Sequence, residues 1–356
     1  MSEGLVDWGL AARIGTTLAG SDEDGGLDSA LVADVTEAAL ESALAYTGMV
    51  PAHPVPGAEI VGRREWIEVN LAELRDLAEP LEQRASAELS LPGPLEGIAR
   101  RAMGTAAAAE AGALVGYASR RVIGQYVVSL GRSPREPRMI LVGSNVTEAA
   151  AKLEVDPVGF LRWAAIHEQT HSIQFGSVPW LRDHLASLIA RMIESTAGGI
   201  DVGVLLGRTR ELLAADPRTV IARVMRGELA RVLAGDEQRA LFDEIQAVMA
   251  VIEGHAEHVM DAAAADDPTL ATMRSRMDER RAQRGGLADM IARALGLGAK
   301  LRQYELGKRW ADGVVGEAGI EGLNRVWHSP AELPSLSELE APRTWLDRVA
   351  GPAPTH

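Results

Sequence analysis

The stretch Trp163-Ala164-Ala165-Ile166-His167-Glu168-Gln169-Thr170-His171-Ser172-Ile173-Gln174-Phe175-Gly176 contains the pattern H-E-x-x-H. On an α-helix, at about 100° per residue, His167 and His171 stand one turn apart on one face. Two imidazoles so placed can hold one divalent ion, while Glu168 projects beside them towards a water on the metal. Ala164, one turn before His167, leaves room for the ion. Trp163, Ile166, Ile173 and Phe175 supply apolar anchors for a buried helix, and Gly176 offers a stop. Two histidines and a glutamate can also meet on an ordinary helix by coincidence, so a third ligand has to be sought elsewhere in the chain.

Upstream, Asp156-Pro157 reads as a helix start, with Asp156 as N-cap and Pro157 at the first helical position. Before it lie Gln125–Leu130 and Arg138–Val142, two short β-branched or apolar runs joined by a turn-rich loop. They predict two adjacent, antiparallel strands, with no other strand expected. Either could present an edge to an extended peptide near the metal helix.

The rest of the chain reads as helix. Apolar spacing predicts helices over residues 5–19, 29–46, 65–89 (broken near Pro80) and 95–119. The last is rich in alanine and small enough in section to pack closely on a neighbour. Residues 51–62, with three prolines, read as a connector. Further helices are expected over 179–195, 218–233, 237–265, 269–283, 287–294 and 301–315. Gly198-Gly199 and residues 214–217 punctuate them. The tail from Ser329 is Pro-rich, with a final helical turn or two at 343–349. This divides the chain into an N-terminal helical region (1–120), a metal-binding catalytic region (121–328) and a tail (329–356), expected to form one unit.

Composition narrows the chemistry. The 356 residues are 47% hydrophobic but only 4% aromatic, which suits a helical core built from alanine and leucine. The formal net charge of −14 argues against nucleic acid, whose phosphates need a basic face. With no cysteine, thiolate sites and disulfides are excluded, and a metal must be held by histidine and carboxylate. No signal peptide or membrane-length apolar run is visible, so a cytoplasmic protein without a membrane partner is expected.

The strongest source of a third ligand is Val251-Ile252-Glu253-Gly254-His255-Ala256-Glu257-His258-Val259-Met260-Asp261. Glu253, Glu257 and Asp261 recur every four residues, within about 80° of one helical face. Acids on a largely apolar helix are costly to bury unless compensated, and a dication would compensate them. His255 and His258 point well away from Glu253 on the wheel and read as structural or rim residues. His184 has no partner pattern.

At this point the pattern is similar to the gluzincin-type zinc metallopeptidases, in which H-E-x-x-H is followed by a helix of the form E-G-x-A-(E/D). The resemblance implies Glu253 as third zinc ligand and Glu257 as a carboxylate that orients one of the histidines. The long gap after His171 leaves open which of the two faces the ion. Val6-Asp7-Trp8-Gly9, Gly62-Arg63-Arg64-Glu65-Trp66, Glu253–His258 and Arg302-Gln303-Tyr304-Glu305 further resemble an actinobacterial family of zincin-like metallopeptidases. Its members are often labelled as associated with coenzyme F420 biosynthesis, a label that carries no chemistry here. The resemblance also makes Tyr304 a candidate donor to a developing oxyanion, beside the plainer reading of a buried tyrosine. Arg302 and Arg309 could meet a substrate carboxylate.

The expectation is a mainly α-helical, zincin-like fold with a small sheet, holding one zinc per chain through His167, His171 and Glu253. Glu168 would be the general base of peptide hydrolysis, acting on a peptide or protein substrate. Two rivals stand beside it: a metal-dependent hydrolase of a small amide or ester, and a silent zincin scaffold that binds a protein partner.

Overall fold

The computed structural model describes residues 5–20, 25–88, 94–131, 135–197, 236–283 and 297–350. The helices expected over 218–233 and 287–294, and the breaks at 198–199 and 214–217, lie outside the described residues.

Contacts group the chain into two units, one of residues 1–43 and 52–173, the other of 44–51 and 174–356. The first contains helices α1 (Trp8–Ala19), α3 (Arg63–Glu88), α4 (Pro94–Ser119) and α5 (Gly143–Leu153), and most of α2 (Ser29–Thr47) and α6 (Pro157–Ser177). It also holds a three-stranded sheet, β1 (Ala58–Val61), β2 (Gly124–Val127) and β3 (Arg138–Val142), in the order β1-β3-β2. The mainly α fold with a small sheet is as expected, the helices from composition and spacing and the sheet from the runs at 125–130 and 138–142.

β2 and β3 pair antiparallel, with Gln125 opposite Ile140 and Val127 opposite Arg138. The third strand was not expected. β1 runs parallel to β3, with Glu59 opposite Ile140, inside the stretch read as a connector. Four residues are too few to show a period of two, and the partner strand lies far along the chain, so local sequence carries no signal for it. Its pairing makes β3 central. Among the described residues only β2, of the two candidates, has an outer edge.

Pro80 does not break α3 as expected; it lies inside one continuous helix. A proline there costs a backbone hydrogen bond and crowds the preceding turn, about 3 kcal/mol. Tertiary contacts on both sides outweigh that. Trp66, Ile67 and Leu71 are buried before it. After it, the buried Glu82 accepts from Val6 N–H at 3.1 Å and from Trp8 Nε1–H at 3.0 Å. The small residues of α4 admit α1 to backbone contact, since a side chain at Gly112 would reach within 2.5 Å of Ala11 O.

A buried polar hub ties these elements together. Arg63, 3% exposed, donates from Nε to Asn145 Oδ1 at 2.8 Å and pairs with Glu148. The Asn145 amide in turn donates to Ser119 O and Val122 O.

The second unit contains the end of α6 from Gln174, α7 (Leu181–Ala197), α8 (Asp236–Asp266), α9 (Pro268–Gln283) and α10 (Leu297–Asn324). Gly319, at φ 68°, kinks α10. The tail is more ordered than its prolines suggest: two 3-10 turns precede α11 (Leu336–Glu340) and α12 (Pro342–Ala350). Ser335 and Glu338 close a capping box on α11, and Trp345 is fully buried edge-on to Trp310. Among the described residues no helix is long and apolar enough to cross a membrane.

Candidate metal centre

α6 begins as its sequence dictates. Asp156 Oδ2 accepts from Gly159 N–H at 2.7 Å, the N-cap bond to the third helical residue. Leu161, Trp163, Ala165, Ile166 and Ile173 are buried, while Phe175 is half-buried. Gly176 lies within the last turn, and the helix ends one residue later. A helix buried on most sides must satisfy its own polar side chains. Thr170 Oγ1 donates to Ile166 O, and Ser172 Oγ donates to Gln169 O.

The two imidazoles converge. His167 Nε2 and His171 Nε2 lie 3.1 Å apart, with the rings at 82° to each other. Two nitrogens on a tetrahedral zinc, each at about 2.0–2.1 Å from the ion, stand about 3.3 Å apart. The pair is therefore spaced to share one ion.

Glu168 is buried, at 8% exposure, and its Oε2 accepts from the backbone N–H of Tyr126 at 2.9 Å. The sheet explains why that N–H points to the helix. Ile123 O accepts from Val142 N–H, so odd-numbered residues of this strand direct their backbone towards β3. Tyr126, opposite Met139, directs its own outward. Gly124, two residues earlier on the same edge, makes room for the carboxylate. A Cβ there would lie 2.7 Å from Glu168 Cγ and 2.8 Å from Leu141 Cδ2. Sequence reasoning placed the strands near the metal helix but missed Gly124 and the Tyr126 amide, because strand-edge direction depends on register.

On α8 the acids have different neighbours. Glu257 is buried and accepts from Arg274 Nη1 at 2.7 Å. Asp261 pairs with Arg274 Nε at 3.1 Å and with Lys308 Nζ at 2.6 Å. Lys308 also bonds Asp312, which meets His258 Nδ1 at 2.8 Å. Burial alone would raise the Asp312 carboxyl, but hydrogen bonds from His258 and Lys308 outweigh it and hold its pKa below the ordinary value. Burial would lower Lys308, and its bonds to Asp261 and Asp312 raise it instead. Fixed cations thus compensate the lower two rungs of the acid ladder. Glu253, buried at 9% exposure, is the rung whose carboxylate lies within 4.8 Å of ring nitrogens of His167 and His171.

Gly254 follows Glu253 because a second backbone lies against it. A Cβ at Gly254 would reach 2.2 Å from Gly307 C, and one at Gly307 would reach 1.9 Å from Ala250 O. The glycine of the E-G-x-A pattern is a helix-crossing residue, with Gly307 of α10 as its unforeseen counterpart.

The other candidate histidines have partners of their own. His255 is fully buried, bonded at both ring nitrogens and edge-on to Trp327. His258 belongs to the ion-pair chain on α8 and α10. His184 packs edge-on against Trp180, with burial holding its pKa below the ordinary value. Arg309 is exposed and donates to Glu305 O. Tyr304 and Arg302 fall in α10, but their side chains lie outside the described residues. Of the other motif residues, Asp7 caps α1, Trp8 donates to Glu82, and Arg63 and Trp66 are buried.

A family model described as "Zincin-like metallopeptidase" matches residues 6–346. A crystal structure from Chloroflexus aurantiacus, described as that of a candidate hydrolase with a novel fold, is 26% identical with a TM-score of 0.67. The match covers 98% of this chain and 100% of that one. No curated protein matches the chain. The match across nearly its whole length shows that the chain belongs to the zincin-like metallopeptidase family.

Proposed function

We propose that the protein is a zinc-dependent peptidase, with His167, His171 and Glu253 as metal ligands and Glu168 as general base. The observation that carries this reading is the convergence of the ligand atoms. One ring nitrogen of each histidine and a Glu253 carboxylate oxygen all lie within 4.8 Å of one another. Two imidazoles and one carboxylate, without sulfur, form a donor set that suits catalytic zinc. When bound, zinc supplies an acidified water and polarises the scissile carbonyl. Glu168 takes the proton of the attacking water and returns it to the leaving amine. With Oε2 held by the Tyr126 N–H, Oε1 is the oxygen that carries the proton. An extended substrate lies along β2, pairing with edge groups other than the Tyr126 N–H, which Glu168 already holds.

The test pairs metal analysis with activity. Zinc-loaded wild type and Glu168→Gln are incubated with a broad peptide library, and products are read by mass spectrometry. Cleavage by wild type and its loss in the variant support the reading. Cleavage that survives the substitution, or a wild type that takes up no zinc, overturns it. Cleavage of small amides or esters without peptides would move the substrate class and keep the mechanism. A silent scaffold has no need of Glu168 seated on a strand amide, and that contact favours catalysis over partner binding alone.

A further inference from the structure

We infer that Gln174 is a positioning residue of the metal site, fixing the register of the metal helix against the helix that carries Glu253. The inference rests on the metal reading above. Gln174 follows His171 by three residues and His167 by seven, so all three lie along one face of α6. It is fully buried. Its Nε2 donates to Ile252 O at 2.9 Å and to His255 Nδ1 at 3.1 Å. Ile252 is the residue immediately before Glu253.

The hydrogen bonds run in one direction only. A backbone carbonyl can only accept, so the group facing Ile252 O must be the amide nitrogen and not the amide oxygen. That makes His255 Nδ1 an acceptor and puts the ring proton on Nε2. From there it is donated to Asn324 Oδ1 at 3.2 Å. The Asn324 amide then donates to Thr47 O at 2.7 Å. Each donor in this chain meets an acceptor.

Such a buried chain tolerates little displacement. A shift of α6 by one residue would strip both acceptors from the Gln174 amide and leave buried polar groups unpaired. The apolar contacts around α6 carry no comparable directionality and would accept neighbouring registers more readily. One amide, bonded beside Glu253 and in line with both histidines, therefore sets how the ligands meet. Gln174 touches neither metal nor substrate in this scheme; it acts through the two helices.

The test uses full-length protein and reads the metal directly. Zinc affinity is measured by competitive chelator titration, and coordination by the absorption spectrum of the cobalt(II)-substituted protein. Wild type, Gln174→Leu and Asn324→Ala are compared, with thermal midpoints recorded alongside. Gln174→Leu is expected to weaken zinc binding about 10- to 100-fold, the usual range for losing an outer partner of a metal site, and to alter the cobalt spectrum. Asn324→Ala, two bonds further out, should move both readouts in the same direction by less, and it serves if the leucine variant does not fold. A lowered thermal midpoint with zinc affinity and cobalt spectrum unchanged, in whichever variants fold, overturns the positioning role alone. A wild type that binds neither metal overturns the metal reading, and this role with it.

Discussion

The backbone N–H of Tyr126 donates to Glu168 Oε2 at 2.9 Å, joining the edge strand to the residue beside the first metal-site histidine. The bond orients a buried carboxylate, and it locates the proposed substrate edge and general base at one point.

Glu168→Gln keeps the side-chain volume and an oxygen able to accept from Tyr126. The variant should retain zinc and thermal stability. Turnover should fall about 10²- to 10⁴-fold, the usual contribution of a general base. Single-turnover kinetics with matched metal content checks this, and comparable rates would remove Glu168 from the mechanism.

Gly124→Ala tests the same point from the strand. The new methyl would fall 2.7 Å from Glu168 Cγ, so the carboxylate must swing away. Metal content should be preserved while activity drops by at least about tenfold, which corresponds to about 1.4 kcal/mol in the barrier. Full activity would show that Glu168 has more freedom than its packing implies.

The acid ladder on α8 predicts an order of metal loss. Glu253→Ala should strip zinc almost completely. Glu257→Ala should weaken it about 10- to 100-fold at most, since Arg274 already engages that carboxylate. The reverse order in a chelator titration would make Glu257 the ligand.

Gly254→Ala and Gly307→Ala each drive a methyl into backbone on the opposite helix. Each should cost about 1–3 kcal/mol or more, as overpacking does, measurable in urea unfolding. Zinc affinity should fall with Gly254→Ala, because any shift of the crossing moves the neighbouring Glu253. Unaltered stability would show that the helices can separate cheaply.

Acid should loosen the second unit in a defined window. Asp312 has a folded pKa below its ordinary value of 3.8, so its contribution is fully present above about pH 4 and is lost as pH falls through the folded value. Lys308, raised above 10.5, contributes below that pH and loses its effect only as pH rises beyond it. Urea midpoints between pH 7 and pH 3 should therefore drop less in Asp312→Asn than in wild type. Parallel curves would show that Asp312 is not linked to folding.

The sequence by itself determined the elements whose signal is local. Asp156-Pro157 announces the start of α6, and the four-residue spacing of His167 and His171 puts two imidazoles on one face whatever surrounds them. The E-G-x-A-E stretch marks α8 in the same way, since a helix repeats within its own segment. Tertiary structure decided everything that depends on partners distant in the chain. β1 exists because β3 offers it a parallel edge, and α3 passes Pro80 because Glu82 is tied to Val6 and Trp8. Glu257 and Asp261 are taken by Arg274 and Lys308, a choice that no helical wheel contains. Gly124, Gly307 and Gln174 look unremarkable in one dimension, because each is defined by the backbone or carbonyl set against it. Helical periodicity is a property of a segment, whereas close approach, strand register and charge compensation are properties of pairs.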